Sequence, residues 1–148
     1  MCRQRLRSPL KRSNVELLLR GFAGWGKEDP AKIRDILHPA CELIVPESVP
    51  YGGTFRGADA FVGWFTEVLW RFFDEFSSAP ERVIDAGNTI IVPVSVKART
   101  ITGGRIDVHN VWVYEFRAGR LRRARVYADT AVLRDAIDGF APAEADRR

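Results

Sequence analysis

Residues 89–129 read TIIVPVSVKARTITGGRIDVHNVWVYEFRAGRLRRARVYAD, and their reading decides the fold. Gly103-Gly104 and Ala118-Gly119 divide the stretch into three runs, Thr89–Arg99, Arg105–Phe116 and Arg120–Asp129. Each is dense in β-branched and aromatic residues and is bounded by turn residues, which predicts a strand. Joints this short can connect only antiparallel neighbours. Glu81–Ala86, closed by Gly87-Asn88, adds a fourth strand in front.

Upstream of this meander the period changes from two to about 3.6. Phe61, Trp64, Phe65, Val68, Leu69, Phe72, Phe73 and Phe76 predict one long helix over 58–76, with an apolar stripe wide enough to cover a sheet. Before it, PYGGTFRG at 50–57 is turn-rich, and Cys41–Val45 reads as a strand closed by Pro46. Two short helices come first. Ser13 and Glu16 form a capping box ahead of Val15, Leu18, Leu19, Phe22 and Trp25, with Gly24 and Gly26 as the stop. Asp29-Pro30 starts the second, which carries Ile33, Ile36 and Leu37 and halts at Pro39. A last short helix spans 130–137. Helices segregated before a meander predict an α+β domain, a curved, mostly antiparallel sheet wrapped around the long helix. Such a cone has an open mouth, and the mouth is a natural pocket.

Composition bounds the function classes. The chain has 148 residues, 46% hydrophobic and 28% charged, which suits one globular domain large enough to fold without metal or disulfide. The net charge of +4 is concentrated in residues 1–13, which hold Arg3, Arg5, Arg7, Lys11 and Arg12 and no acid; the remainder carries −1. A nearly neutral body argues against nucleic-acid binding, and neither a Walker loop nor an RNA-binding signature is present. No long apolar run predicts a membrane helix, and no apolar h-region follows the basic start. Cys2 and Cys41 form no Cys-x-x-Cys pair, so no zinc or redox motif is expected and a reducing, cytoplasmic setting is. The expected organisation is a basic flexible arm over 1–12, one domain over 13–138 and a tail over 139–148.

Three stretches carry a resemblance: LLLRGFAGWGKEDPAKIRDILHPACELIVPES at 17–48, YGGTFRGADAFVGWF at 51–65 and HNVWVYEFRAGRLRRARVYADTAVL at 109–133. In this order they resemble the SnoaL-like branch of the cone-shaped nuclear-transport-factor-like superfamily, which includes polyketide cyclases and relatives of ketosteroid isomerase. The resemblance implies a cone fold and a pocket for a small apolar ligand. It implies cofactor-independent proton transfer of an isomerase or cyclase type on an apolar, possibly cyclic carbonyl compound. A non-catalytic binder or dimeric assembly module on the same fold is the alternative. No cofactor or metal is expected.

The resemblance also assigns residues. A carboxylate closing the last strand is an acid–base group in several such enzymes, and Asp129 holds that position. The steroid isomerases' aspartate base falls at Val45, with Glu47 two residues on, which argues against a steroid isomerase proper. Their oxyanion-binding acid falls at or beside Asn110. The Arg-x-Asp pattern of the epoxide-hydrolase members is absent from 90–97.

Alternation places Arg125, Tyr127 and Asp129 on one strand face, expected to be the inner one. Two roles compete for Asp129: pocket acid–base, with its pKa raised by burial, or N-cap of the final helix, with its pKa lowered. His109 shares a face with Asp107, Val111 and Val113, and Asn110 with Val108, Trp112 and Tyr114. The second set is the more apolar, so Asn110 is expected inside and His109 outside, where only a bulge would turn it in to pair with Asp129. The catalytic candidates are therefore Asp129 and His109. The substrate-binding candidates are Asn110, Tyr51, Tyr127, Trp64, Trp112 and Arg125. Apolar residues of both parities in 89–99 and 105–116 predict that the outer sheet face is also covered, by a second copy of the chain.

Overall fold

The computed structural model describes residues 13–22 and 28–139. The basic arm, Gly24, Gly26 and residues 140–148 lie outside the described residues. The elements run α1 (Asn14–Gly21), α2 (Pro30–Ile36), β1 (Leu37–Val45), β2 (Gly53–Arg56), α3 (Ala58–Gly63), β3 (Phe73–Pro80), β4 (Ile84–Asp85), β5 (Thr89–Thr100), β6 (Arg105–Arg117), β7 (Arg120–Tyr127) and α4 (Thr130–Asp138). Their sheet is ordered β2-β1-β7-β6-β5-β3, with β4 on β5. Every pairing is antiparallel except β1 with β7. The result is an α+β cone, a curved unclosed sheet with helices in its hollow.

Local chemistry sets the helix starts. Ser13 Oγ accepts the Glu16 amide at 3.1 Å while Glu16 Oε1 accepts the Ser13 amide at 2.8 Å, so the capping box of α1 is complete. Asp29 caps α2 through the Ala31 amide at 3.0 Å, with Pro30 in the first turn.

Three boundaries differ from the sequence reading. The long helix ends early. α3 continues as a π turn over Trp64–Val68 and a 3₁₀ turn over Leu69–Arg71, and the chain then extends into β3. The stripe to Phe76 misleads because Phe73 and Phe76 pack inward from a strand; Phe73 pairs with Thr100 and Phe76 with Ala98. As a strand the segment pairs along β5 from Phe73–Thr100 to Pro80–Val94 while both rings stay against the core. Within 81–86 only Ile84 and Asp85 pair as strand. Pro39 does not stop a helix; β1 already begins at Leu37, and Pro39 is accommodated where the β1–β7 register shifts.

The core lies between the concave sheet face and α1–α3. Leu18, Phe22, Ile33, Phe61, Leu69, Ile90, Val92, Tyr114 and Leu121 are among its most buried side chains. On β6 burial alternates without a break from Ile106 to Phe116, so Val108, Asn110, Trp112 and Tyr114 point into the cone. Among the described residues no helix is long and apolar enough to cross a membrane.

Candidate functional site

The cone retains a cavity at its mouth. Its floor is Val96, Asn110, Trp112, Tyr114 and Val126 on β5–β7. Tyr51 and Val49 wall one side, Trp64, Phe65 and Leu69 another, and Phe76 and Ser78 on β3 a third. Ala128, Thr130 and Leu133, at and beyond the end of β7, close it. The concavity measures about 650 Å³ counted out to solvent, of which about 50 Å³ is wide enough to seat water. The room it encloses is therefore small.

Each wall has a local cause. The π turn brings the adjacent Trp64 and Phe65 to the same cavity, with ring centroids 4.8 Å apart and edge to face. Trp64 Nε1 donates to the Tyr51 carbonyl at 2.8 Å, which ties the helix to the 46–53 loop. That loop is tight. The Gly52 amide donates to the Val49 carbonyl at 3.0 Å, and a Cβ at Gly52 would meet the Pro46 carbonyl oxygen at 1.8 Å.

The polar inventory is short. No charged side chain lines the cavity among the described residues. Asn110 is 8% exposed, and its Oδ1 is buried without a hydrogen-bond partner. Ser78 Oγ is in the same condition. Tyr51 is 5% exposed, and burial pushes its hydroxyl well above the usual phenol range. Tyr114 is raised too, by burial and by the charge of Glu28. Burial thus favours the neutral phenol at both positions, a group that can donate or accept a hydrogen bond. Among the described residues no cluster of His, Cys, Asp and Glu could hold a metal ion.

The structure brings Asn110, Tyr51, Trp64 and Trp112 together at this cavity. It does not bring the other candidates there. Arg125, Tyr127 and Asp129 lie on the outer parity of β7, and Ala124, Val126 and Ala128 take the inner one. The expected face is reversed because Val126 and Ala124 pair with the inward Trp112 and Tyr114, while Arg125 and Tyr127 pair with the outward Val113 and Val111. Tyr127 is 52% exposed. Asp129 is exposed and caps α4, its Oδ1 accepting the Val132 amide at 3.3 Å. His109 is on the outer face, where Nδ1 pairs with Glu81 Oε2. The same oxygen accepts the Ser95 hydroxyl at 2.8 Å, and these two bonds hold the Glu81 carboxyl below its usual range. Among the lining residues that sequence reasoning missed, Ser78 is the one with a buried, unpartnered hydroxyl. The parity it shares with Phe76 is the available signal, hidden while both are read as helix or its end.

Two of the four arginines in the basic run on β7 are engaged, and a buried nitrogen of Arg122 has no hydrogen-bond partner among the described residues. Arg123 donates to Glu42 at 2.8 Å and to Glu115 at 3.3 Å, and Arg120 reaches the Asp35 and Leu37 carbonyls.

Solved structures share this fold. A protein with a nuclear-transport-factor-like fold from Burkholderia thailandensis is 24% identical, with a TM-score of 0.79 over 85% of this chain and 98% of that one. TerC, crystallised with polyporic acid, is 24% identical, with a TM-score of 0.75 over 84% of this chain and 98% of its own. A candidate SnoaL-like polyketide cyclase from Jannaschia sp. CCS1 is 23% identical, with a TM-score of 0.74 over 90% and 96%. No curated protein matches significantly. The SnoaL-like domain model matches residues 18–124, from α1 through most of β7, and so takes in most of the cavity wall together with the fold. By that match, and by the cone it describes, the chain belongs to the SnoaL-like domain family.

Proposed function

We propose that the chain binds a small, neutral, flat apolar compound in the cone, with Asn110 as the polar anchor. One observation carries this reading: an uncharged, mostly apolar cavity rich in aromatic rings contains a buried carboxamide oxygen with no partner. A charged ligand group would lose its hydration there and find no counter-charge. A buried amide oxygen left unmet costs about 1–3 kcal/mol, and a ligand hydroxyl or N–H would recover it. The cavity's small room favours a ring over a bulky group, and entry of a ring needs wall side chains to turn aside. The co-crystallisation of TerC with polyporic acid supports an organic ligand for a cone of this kind.

The test is an NMR titration of the full chain with 2-naphthol, read on the indole N–H signals. Trp64 and Trp112 line the cavity and Trp70 does not. Shifts at the first two, with Trp70 unmoved, support the reading. Shifts at none of them, or at exposed groups only, contradict it.

A second reading adds isomerase- or cyclase-like proton transfer. It is favoured by the place of Asp129, between the lining residues Ala128 and Thr130. On this reading the carboxylate leaves the Val132 amide and turns inward as the base, while Asn110 or Tyr51 holds the developing enolate oxygen. The test is deuterium exchange next to the carbonyl of 1-tetralone in heavy water. Exchange above buffer that is lost in Asp129→Asn establishes it; exchange at the buffer rate removes it.

The same proposal includes a homodimer through the outer sheet face. Register sets Ile84, Ile91 and Val113 in one row and Pro93, Val111 and Tyr127 in the next, an apolar patch that stays partly exposed. A two-fold mate would cover this patch with its own copy.

A further inference from the structure

We infer that Ser78 is a second polar anchor of the cavity, set apart from Asn110, and that the site takes a flat arene with a hydroxyl or keto oxygen at each of two opposite edges. The inference rests on the binding reading above and goes beyond it in fixing the ligand's second end.

Ser78 Oγ and Asn110 Oδ1 are both buried without a partner among the described residues, and both residues line the one cavity. The neighbouring serines differ. Ser77 Oγ donates to the Lys97 carbonyl at 3.4 Å, and Ser95 Oγ to Glu81 at 2.8 Å. Ser78 alone of these three turns inward, and it finds nothing to bond.

Register gives the spacing. Ser78 stands opposite Val96, and Asn110 opposite Val94, so the two anchors sit on the strands that flank β5. Two strand spacings make about 10 Å across the sheet, and two residues along it add about 7 Å in the other direction. At that distance the two side chains cannot satisfy each other, and no single ligand oxygen can bond both. Between them lie the buried Val94 and Val96, with no polar group to offer. From β3 across β5 to β6 the pattern is polar, apolar, polar. A fused-ring arene with oxygens at opposite edges repeats it. Asn110 Oδ1 is an acceptor, so the ligand group facing it donates; Ser78 Oγ can donate or accept.

The experiment compares 2,6-dihydroxynaphthalene with 2-naphthol by calorimetric titration into the full chain and into Ser78→Ala. One added hydrogen bond between neutral groups predicts that the two-ended probe binds the wild type roughly three- to tenfold more tightly. Ser78→Ala should erase that advantage, so that the two probes bind the variant alike. Its melting temperature should hold or rise, because the hydroxyl it removes has no partner. Equal affinity of the two probes in the wild type overturns the inference, and leaves the binding reading intact if Trp64 and Trp112 still respond to 2-naphthol. An advantage that survives in Ser78→Ala overturns it as well. So does a lowered melting temperature, which would mean that the hydroxyl is already bonded within the fold. Failure of both probes to move either indole signal contradicts the binding reading itself.

Discussion

Asp129 Oδ1 holds the Val132 amide at the start of α4, and the two substitutions at this position separate capping from chemistry. Asp129→Ala should lower stability by about 0.5–2 kcal/mol, whereas Asp129→Asn, which also caps, should leave it nearly unchanged. Thermal melts of both variants measure this. Glu42 is the other informative carboxylate. Its hydrogen bond from Arg123 holds its pKa below the usual range, with Arg56 3.5 Å away on the other oxygen. A lowered folded pKa means that this contribution is present above the unfolded pKa and is lost as pH falls through the folded one. Glu42→Gln should therefore cost up to about 1 kcal/mol at pH 7, and the gap to wild type should close in acid. A gap that is constant with pH would show that the ion pair contributes nothing. Asn110 was legible as an inward residue because the alternation of β6 is unbroken. Asp129 was not legible in the same way, because alternation says only that Arg125, Tyr127 and Asp129 share a face, and which face it is depends on their register against Val113 and Val111 of β6.

Two connections set how the elements meet, and each yields a measurable consequence. Arg117 pairs with Arg120 across a two-residue turn, in which Ala118 has φ 52° and Gly119 φ 74°. Two positive φ values match the type I′ hairpin, in which asparagine is favoured at the first position and alanine is strained. Ala118→Asn should stabilise the fold by about 0.5–1 kcal/mol. An unchanged or lower melting temperature would mean that the turn is not strained. The 46–53 loop behaves in the opposite sense. Gly52→Ala drives a methyl into the Pro46 carbonyl, which should cost about 1–3 kcal/mol or more and loosen the Tyr51 wall of the cavity. Turn residues and caps were readable in the sequence because they act locally. The end of α3 was not, because the choice between helix and strand at 73–80 depends on the free edge of β5, far away in the chain.

At the scale of the whole molecule, the order of elements made the α+β cone legible, while the parallel contact of β1 with β7 was not, since nothing local to either strand records it. The outer apolar rows make the dimer testable. Light scattering at micromolar concentration should give twice the 16.7 kDa chain mass, and Val113→Lys should halve it. A wild-type mass of one chain would remove the dimer without touching the cone. In the cone's interior, Asn110 is the proposed anchor of an uncharged cavity. The most direct measurement is the affinity of 2-naphthol for the wild type and for Asn110→Leu, taken alongside their melting temperatures. Replacing an unpartnered buried amide with an apolar side chain should hold or raise the melting temperature while weakening binding roughly three- to tenfold. Equal affinity in the two proteins, or a variant that binds as before and melts lower, would contradict the account.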